Sequence, residues 1–210
     1  MQAYARRLLF LTVSLVTAGL AAGLTARHAH RGARPRTDPV LRGLVQAPQA
    51  NETCFSPEEP CDAKLVKFME GAQKSLAIAI YDINLDQLVH TLIAAAPRLD
   101  IRIVVDQRQS KGEHSLVGLL AKAGVKIRYG RQRGIMHNKF VIRDGTMLET
   151  GSFNFTNHAA SANSENQIYL DGATIVARYQ AQFEAIWQRA KPVETLPVTT
   201  QRPTWPPIHL

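Results

Sequence analysis

His137 and Lys139 stand two residues apart at the head of the run Phe140-Val141-Ile142-Arg143, and Asp144-Gly145 closes it. This stretch constrains the chain more than any other. Residues i and i+2 of an extended strand point to the same face. The run after His137 is aromatic and β-branched, which favours a strand. The spacing therefore predicts one strand that projects the imidazole and the ammonium together, ended by an Asp-Gly turn. Thr146 to Thr150 reads as the second arm of a hairpin. Gly151-Ser152-Phe153-Asn154 at its end would return Ser152 and Asn154 toward His137, and Glu165 follows within Asn163-Ser164-Glu165-Asn166.

These residue types suit a phosphodiester. Attack on phosphorus requires a nucleophile, charge stabilisation at the phosphoryl oxygens and an acid for the leaving oxygen. Imidazole is a nucleophile when neutral and an acid when protonated, because it titrates near neutrality. Lys139 offers a point charge and Asn154 neutral donors to phosphate oxygens. Glu165 can hold the second ring nitrogen of His137 and fix its tautomer. The set requires no metal and no cofactor, and neither is expected. One imidazole cannot be nucleophile and acid for the same leaving group, and the chain carries no second His-x-Lys pair. A homodimer with its twofold axis through the site would supply the second copy.

The pattern His137-x-Lys139-x4-Asp144, followed by Gly151-Ser152-x-Asn154 and then Glu165, resembles the active-site motif of the phospholipase D superfamily, which cuts phosphodiester bonds through a histidine nucleophile. The match is closest to the short, single-motif bacterial nucleases of that superfamily. It is more distant to the branch of mitochondrial cardiolipin hydrolases and piRNA nucleases. It runs from about Phe55 to Ala190 and includes Phe55-Ser56-Pro57 and Glu149 to Thr156. The resemblance implies that His137 is the nucleophile and its symmetry mate the general acid. It also implies that Lys139, Ser152 and Asn154 contact phosphate, that Glu165 orients the histidine, and that products carry 5′-phosphates. Asp144, an aspartate before glycine at a strand end, is expected to be a structural turn residue.

The formal net charge of +8 points to a polyanionic partner, but its distribution tempers that reading. Residues 1–42 hold seven arginines against one acid, whereas the remaining 168 residues hold 18 basic and 16 acidic side chains. Local charge is more informative. No acid lies between Glu113 and Asp144, where Lys122, Lys126, Arg128, Arg131, Arg133, Lys139 and Arg143 form a basic run suited to flanking phosphates or to anionic headgroups. Leu8 to Leu24 is almost wholly apolar and follows Arg6-Arg7, as in a secretory signal. Its basic flank, Arg27 to Arg31, is also compatible with an uncleaved membrane anchor over residues 8–24. A periplasmic or secreted chain is expected, with membrane anchoring as the alternative. Cys54 and Cys61 are the only cysteines; they fit a disulfide in an oxidising compartment, or two reduced thiols.

Residues 1–24 read as leader, 25–50 as an arginine- and proline-rich linker, 51–190 as the catalytic domain and 191–210 as a proline-rich tail bearing Trp205. Within the domain, apolar strands at Leu76–Ile83, Ile101–Val105 and Val125–Tyr129 alternate with amphipathic helices at Cys61–Gln73, Asp86–Ala96 and Ser115–Lys122. A last strand at Gln167–Leu170 precedes a helix carrying Ile175, Tyr179, Phe183 and Trp187. This order predicts an α/β fold, a central mixed sheet flanked by helices with one catalytic domain. The polar loop Asp106–His114 could border the site, and Tyr81, at a strand end, could wall the cleft without chemistry of its own. The chemistry accommodates either a non-specific endonuclease acting on DNA or RNA, or a phospholipase acting on phospholipid headgroups.

Overall fold

Small and large apolar residues alternate along Ser75–Ile80, and this alternation sets the layering of the molecule. The computed structural model describes residues 44–130 and 133–193. Leu76, Ile78 and Ile80 face one core, together with Leu65, Phe68, Leu88, Leu92 and Leu120. Ala77 and Ala79 face the other, where their small side chains admit Phe183 and Trp187 close to the sheet. One face of the sheet thus carries four helices and the other a single long one.

The chain enters through β1 (Glu52–Ser56) and α1 (Cys61–Glu70), then β2 (Ser75–Ile80), α2 (Asp86–Ala95) and β3 (Asp100–Val105). A short 3-10 turn (Gln109–Lys111), α3 (Val117–Lys122) and β4 (Lys126–Tyr129) follow. The hairpin β5 (Lys139–Arg143) and β6 (Met147–Gly151) leads to α4 (Asn157–Ser161), β7 (Glu165–Leu170), α5 (Ala173–Arg189) and β8 (Lys191–Pro192). The strands form one eight-stranded sheet in the order β1-β7-β6-β5-β2-β3-β4-β8. β2, β3 and β4 are parallel to one another, and the remaining pairs are antiparallel. This is the expected mixed α/β sheet flanked by helices.

Several boundaries differ from the pattern-based expectation, each for a local reason. β2 stops at Ile80 instead of running to Ile83, because its last ladder partner is Lys139. Ile83 instead bridges to Phe155. α3 begins at Val117, and the Ser115 hydroxyl accepts the Val117 backbone N–H at 3.3 Å. The domain also extends past its expected limits at both ends. Lys191 and Pro192, placed in the tail by composition, pair with Tyr129 and Arg128 on the sheet edge, where a proline costs no ladder bond. Pro48, placed in the linker, is buried, and the Gln49 N–H donates to the Glu52 carboxylate at 2.9 Å.

Cys54 and Cys61 are joined in a disulfide with their Cα atoms 5.6 Å apart, which staples the edge strand β1 to α1. Among the described residues no helix is long and apolar enough to cross a membrane. The expected leader (1–24), most of the linker, Arg131 and the tail from residue 194, with Trp205, lie outside the described residues.

Candidate active site

The register of the sheet brings the motif residues together. Lys139 pairs with Ile80 at the carboxyl end of β2. One strand further along, β6 ends at Gly151, which pairs with Gln167 of β7. A cleft of about 430 Å³ opens at this end of the sheet, lined by His137, Lys139, Gly151, Ser152, Asn154 and Glu165. All five residues predicted to do chemistry therefore line one cleft. Gly151 is required by close approach: a Cβ there would fall 2.0 Å from the Asn166 carbonyl oxygen, and the neighbouring backbone could not yield so far.

Two details depart from expectation. His137 is not on the strand. β5 begins at Lys139, because β2 offers no partner beyond Ile80. The imidazole precedes the ladder and is exposed. Glu165 does not hold it within the protomer. Its carboxylate accepts the Ser152 hydroxyl and the Asn163 amide, the latter at 3.0 Å. Ser152, expected to meet phosphate, is thereby tied to the carboxylate beside it, and it also accepts the Asn166 N–H at 3.1 Å. The Lys139 ammonium donates to the His137 carbonyl at 3.1 Å. Partial burial pushes the Lys139 pKa below its ordinary value, and the charge of Glu165 opposes that shift. The Asn154 side-chain oxygen is buried, without a hydrogen-bond partner among the described residues.

Asp144 sits at the opposite end of the hairpin. Its backbone is left-handed (φ 55°), as is Gly145 after it (φ 68°). Its carboxylate accepts three consecutive backbone N–H groups, those of Gln73 (3.0 Å), Lys74 (2.7 Å) and Ser75 (2.9 Å). Burial would raise its pKa, but these donors and Arg143 outweigh it and hold the carboxyl below its ordinary value.

The basic run does not form one patch. Arg143 pairs with Leu76 at the remote end of β2, where it donates to the Phe68 carbonyl and lies over the Phe68 ring. Lys126 lies across from Arg102 on the neighbouring strand and is ion-paired with Asp100 at 2.8 Å. Arg128 lies over Trp187 at 4.2 Å and donates to its carbonyl. Nearness in sequence misled here, because β2 and β3 lie between β5 and β4 in the sheet.

Comparison with known proteins agrees with this geometry. The family model described as "Cardiolipin synthase, PLD-like domain" matches residues 65–187. The chain belongs to the phospholipase D superfamily. It is 32% identical over 157 residues to the mitochondrial cardiolipin hydrolase of Xenopus laevis, covering 74% of this chain and 72% of that one. It is also 32% identical over 128 residues to a phospholipase D of Rickettsia prowazekii, covering 60% and 62%. Among solved structures, the phospholipase D family member Nuc from Salmonella typhimurium superposes with a TM-score of 0.65 at 26% identity, covering 69% of this chain and 97% of that one.

Sequence reasoning undervalued two contributors to this phospholipase D-superfamily site. The Tyr81 ring lies edge-to-face against the His137 imidazole, with centroids 4.7 Å apart at 69°, and the Lys139 ammonium is 5.4 Å from the same ring. Asp106, 2% exposed at the end of β3, accepts the Met136 N–H at 2.9 Å through one oxygen. Through the other it accepts the N–H groups of Arg108 and Gln109. Gln109 in turn donates to the Asp82 carboxylate at 3.2 Å, which ties the polar loop to the residue after Tyr81. An acid after an apolar strand was the only signal for Asp106; its reach across to Met136 is tertiary.

Proposed function

We propose that the protein is a metal-independent, non-specific endonuclease cleaving DNA or RNA in a homodimeric site. The observation that carries this reading is the convergence of His137, Lys139, Ser152, Asn154 and Glu165 on one open cleft with an exposed imidazole. His137 attacks phosphorus and forms the N–P bond of a phosphohistidine as the P–O bond to the leaving group breaks. The His137 of a second copy protonates that oxygen, then takes a proton from the water that displaces the histidine. Lys139, Ser152 and Asn154 bind the phosphoryl oxygens, and Glu165 orients an imidazole once the dimeric site is assembled. Two copies are needed because each chain brings one His-x-Lys motif.

The lining of the cleft supports nucleic acid over lipid: His137, Lys139, Gly151, Ser152, Asn154 and Glu165 include no large apolar side chain to take an acyl chain. The similarity to cardiolipin hydrolases favours the second reading, cleavage of a phospholipid headgroup at a membrane. The apolar segment at residues 8–24 would serve either an exported nuclease or an anchored lipase. The Cys54–Cys61 disulfide supports a periplasmic or secreted location.

The deciding measurement sets wild type beside His137→Ala on single-stranded DNA, duplex DNA, RNA and cardiolipin-containing vesicles, with and without EDTA. The expected outcome is EDTA-resistant, His137-dependent cleavage of nucleic acid. His137-dependent hydrolysis confined to the vesicles would establish the lipid reading. Loss in EDTA restored by added metal would contradict the proposed chemistry.

A further inference from the structure

We infer that Tyr81 is a positioning residue for the His137 imidazole, acting through its ring and not through its hydroxyl. The inference rests on the assignment of His137 as nucleophile and extends it to a side chain outside the motif.

Few contacts among the described residues fix His137. The residue stands ahead of β5, so no ladder bond restrains its backbone. Asp106 holds the peptide before it, through the Met136 N–H. Nothing comparable holds the ring. Glu165, the acid expected to orient it, is occupied by Ser152 and Asn163. The contact that remains among the described residues is Tyr81, at 4.7 Å between centroids and 69° between planes. That is the geometry in which the positive edge of one ring meets the negative face of another.

Tyr81 is itself well placed to act as a fixed reference. It follows directly on β2, whose last residue, Ile80, pairs with Lys139 and is fully buried. Its ring is half-buried between the strand end and the motif. The titratable and charged groups facing the imidazole are therefore Lys139 from β5, Glu165 from β7 and Tyr81 from the end of β2. Lys139 at 5.4 Å lies over the same Tyr81 ring. Tyr81 would thus set the aim of the nucleophile.

Three variants and two readouts test this. Tyr81→Phe keeps the ring, Tyr81→Leu removes it at modest change in volume, and His137→Ala reports whether the nucleophile assignment holds. Steady-state cleavage gives kcat and KM separately, and the NMR shifts of the His137 ring in the full chain need no activity. Tyr81→Leu is expected to lower kcat by about tenfold or more with little change in KM, as misaiming of a reacting group does. It is also expected to move the His137 ring resonances, because the aromatic neighbour that shifts them is gone. Tyr81→Phe should restore both. If His137→Ala still cleaves, the nucleophile assignment fails, while the ring shifts still read the contact. If His137→Ala is inactive and Tyr81→Leu matches wild type in kcat and ring shifts, the inference about Tyr81 is overturned. It is equally overturned if Tyr81→Leu loses activity only in step with a lowered Tm, leaving the ring shifts unmoved, or if Tyr81→Phe is as impaired as Tyr81→Leu.

Discussion

The two ends of the β5–β6 hairpin carry residues of one short motif and do opposite things with them. At the open end, His137 is exposed and held by a ring contact, Lys139 is partly desolvated, and the side-chain oxygen of Asn154 is unpaired among the described residues. At the closed end, Asp144 accepts three consecutive N–H groups, and Arg143 caps the Phe68 carbonyl while covering its ring. Lys139 and Arg143 are four residue steps apart along β5, on the order of 13 Å. Polar groups left short of partners mark where a ligand can be met, and polar groups fully engaged mark where the fold is fastened. Residues that recur in one motif therefore need not share one function.

Mutation should separate the two ends by readout. His137→Ala should lower kcat by about a thousandfold or more while leaving Tm within about 2 °C, since an exposed side chain is removed. Asp144→Ala should do the reverse. Stranding three N–H groups at a partly hydrated strand end should cost on the order of 1–2 kcal/mol, a fall in Tm of about 3–8 °C, with kcat retained in the folded fraction. Circular dichroism melts and cleavage assays on the same preparations check both. A thousandfold loss of kcat in folded Asp144→Ala would place that carboxylate in the chemistry after all.

The motif end of the chain was legible because spacing converts directly into geometry. Two residues apart placed His137 and Lys139 at one site even though β5 begins only at Lys139, and Gly151-Ser152-x-Asn154 after a hairpin means a return to the same place. The layering was legible for the same reason, in the apolar runs at β2 and β3 and the helical spacing of Phe183 and Trp187. What failed was everything that depends on register between distant strands. The basic run looked continuous because Lys126 and Arg143 are close in sequence, yet they stand on separate strands and are neutralised by Asp100 or packed on Phe68. Glu165 was assigned to the histidine because both types fit, but its place on β7 beside the end of β6 gives it to Ser152 first. The packing of Tyr81 on His137 and the reach of Asp106 to Met136 have no local signature at all.

Glu149 allows the comparison to be sharpened by pH. It lies on β6, on the core-facing side opposite Tyr169 and Val141, and is 2% exposed. Burial pushes its pKa up to about 8 from an ordinary 4.5, so it is mostly uncharged at neutral pH. The folded state thus binds a proton that the unfolded state has released. The associated stability is fully present below about pH 4.5 and is lost as pH rises toward 8, by on the order of 4–5 kcal/mol in all. Asp144 has the opposite sign: its depressed pKa contributes stability above its ordinary value of 3.8, lost as pH falls through the folded value. Glu149→Gln should flatten the fall in Tm between pH 5 and 8 and leave the acid limb unchanged. Asp144→Asn should weaken the acid limb alone. A wild-type Tm that does not fall across that range would show that Glu149 ionises without cost and is hydrated.

The smallest expected effect tests the charge assignment. Counterion release scales with the phosphates a protein neutralises, so only basic groups near the bound backbone move affinity or its salt slope. Lys126 stands across from Arg102, toward the start of β3, away from the Val105 end that adjoins the cleft, and its charge is already matched by Asp100 at 2.8 Å. At physiological salt an exposed charge is screened beyond about 8 Å. Lys126→Ala should therefore change nucleic-acid affinity by less than about twofold and leave the salt slope unaltered, whereas Lys139→Met should weaken binding and reduce the slope by about one. Binding measured on the catalytically silent His137→Ala background separates these effects from cleavage. A salt slope that falls with Lys126→Ala would mean the nucleic acid wraps from the cleft around the β4 edge, and that the two ends of the sheet act on one ligand.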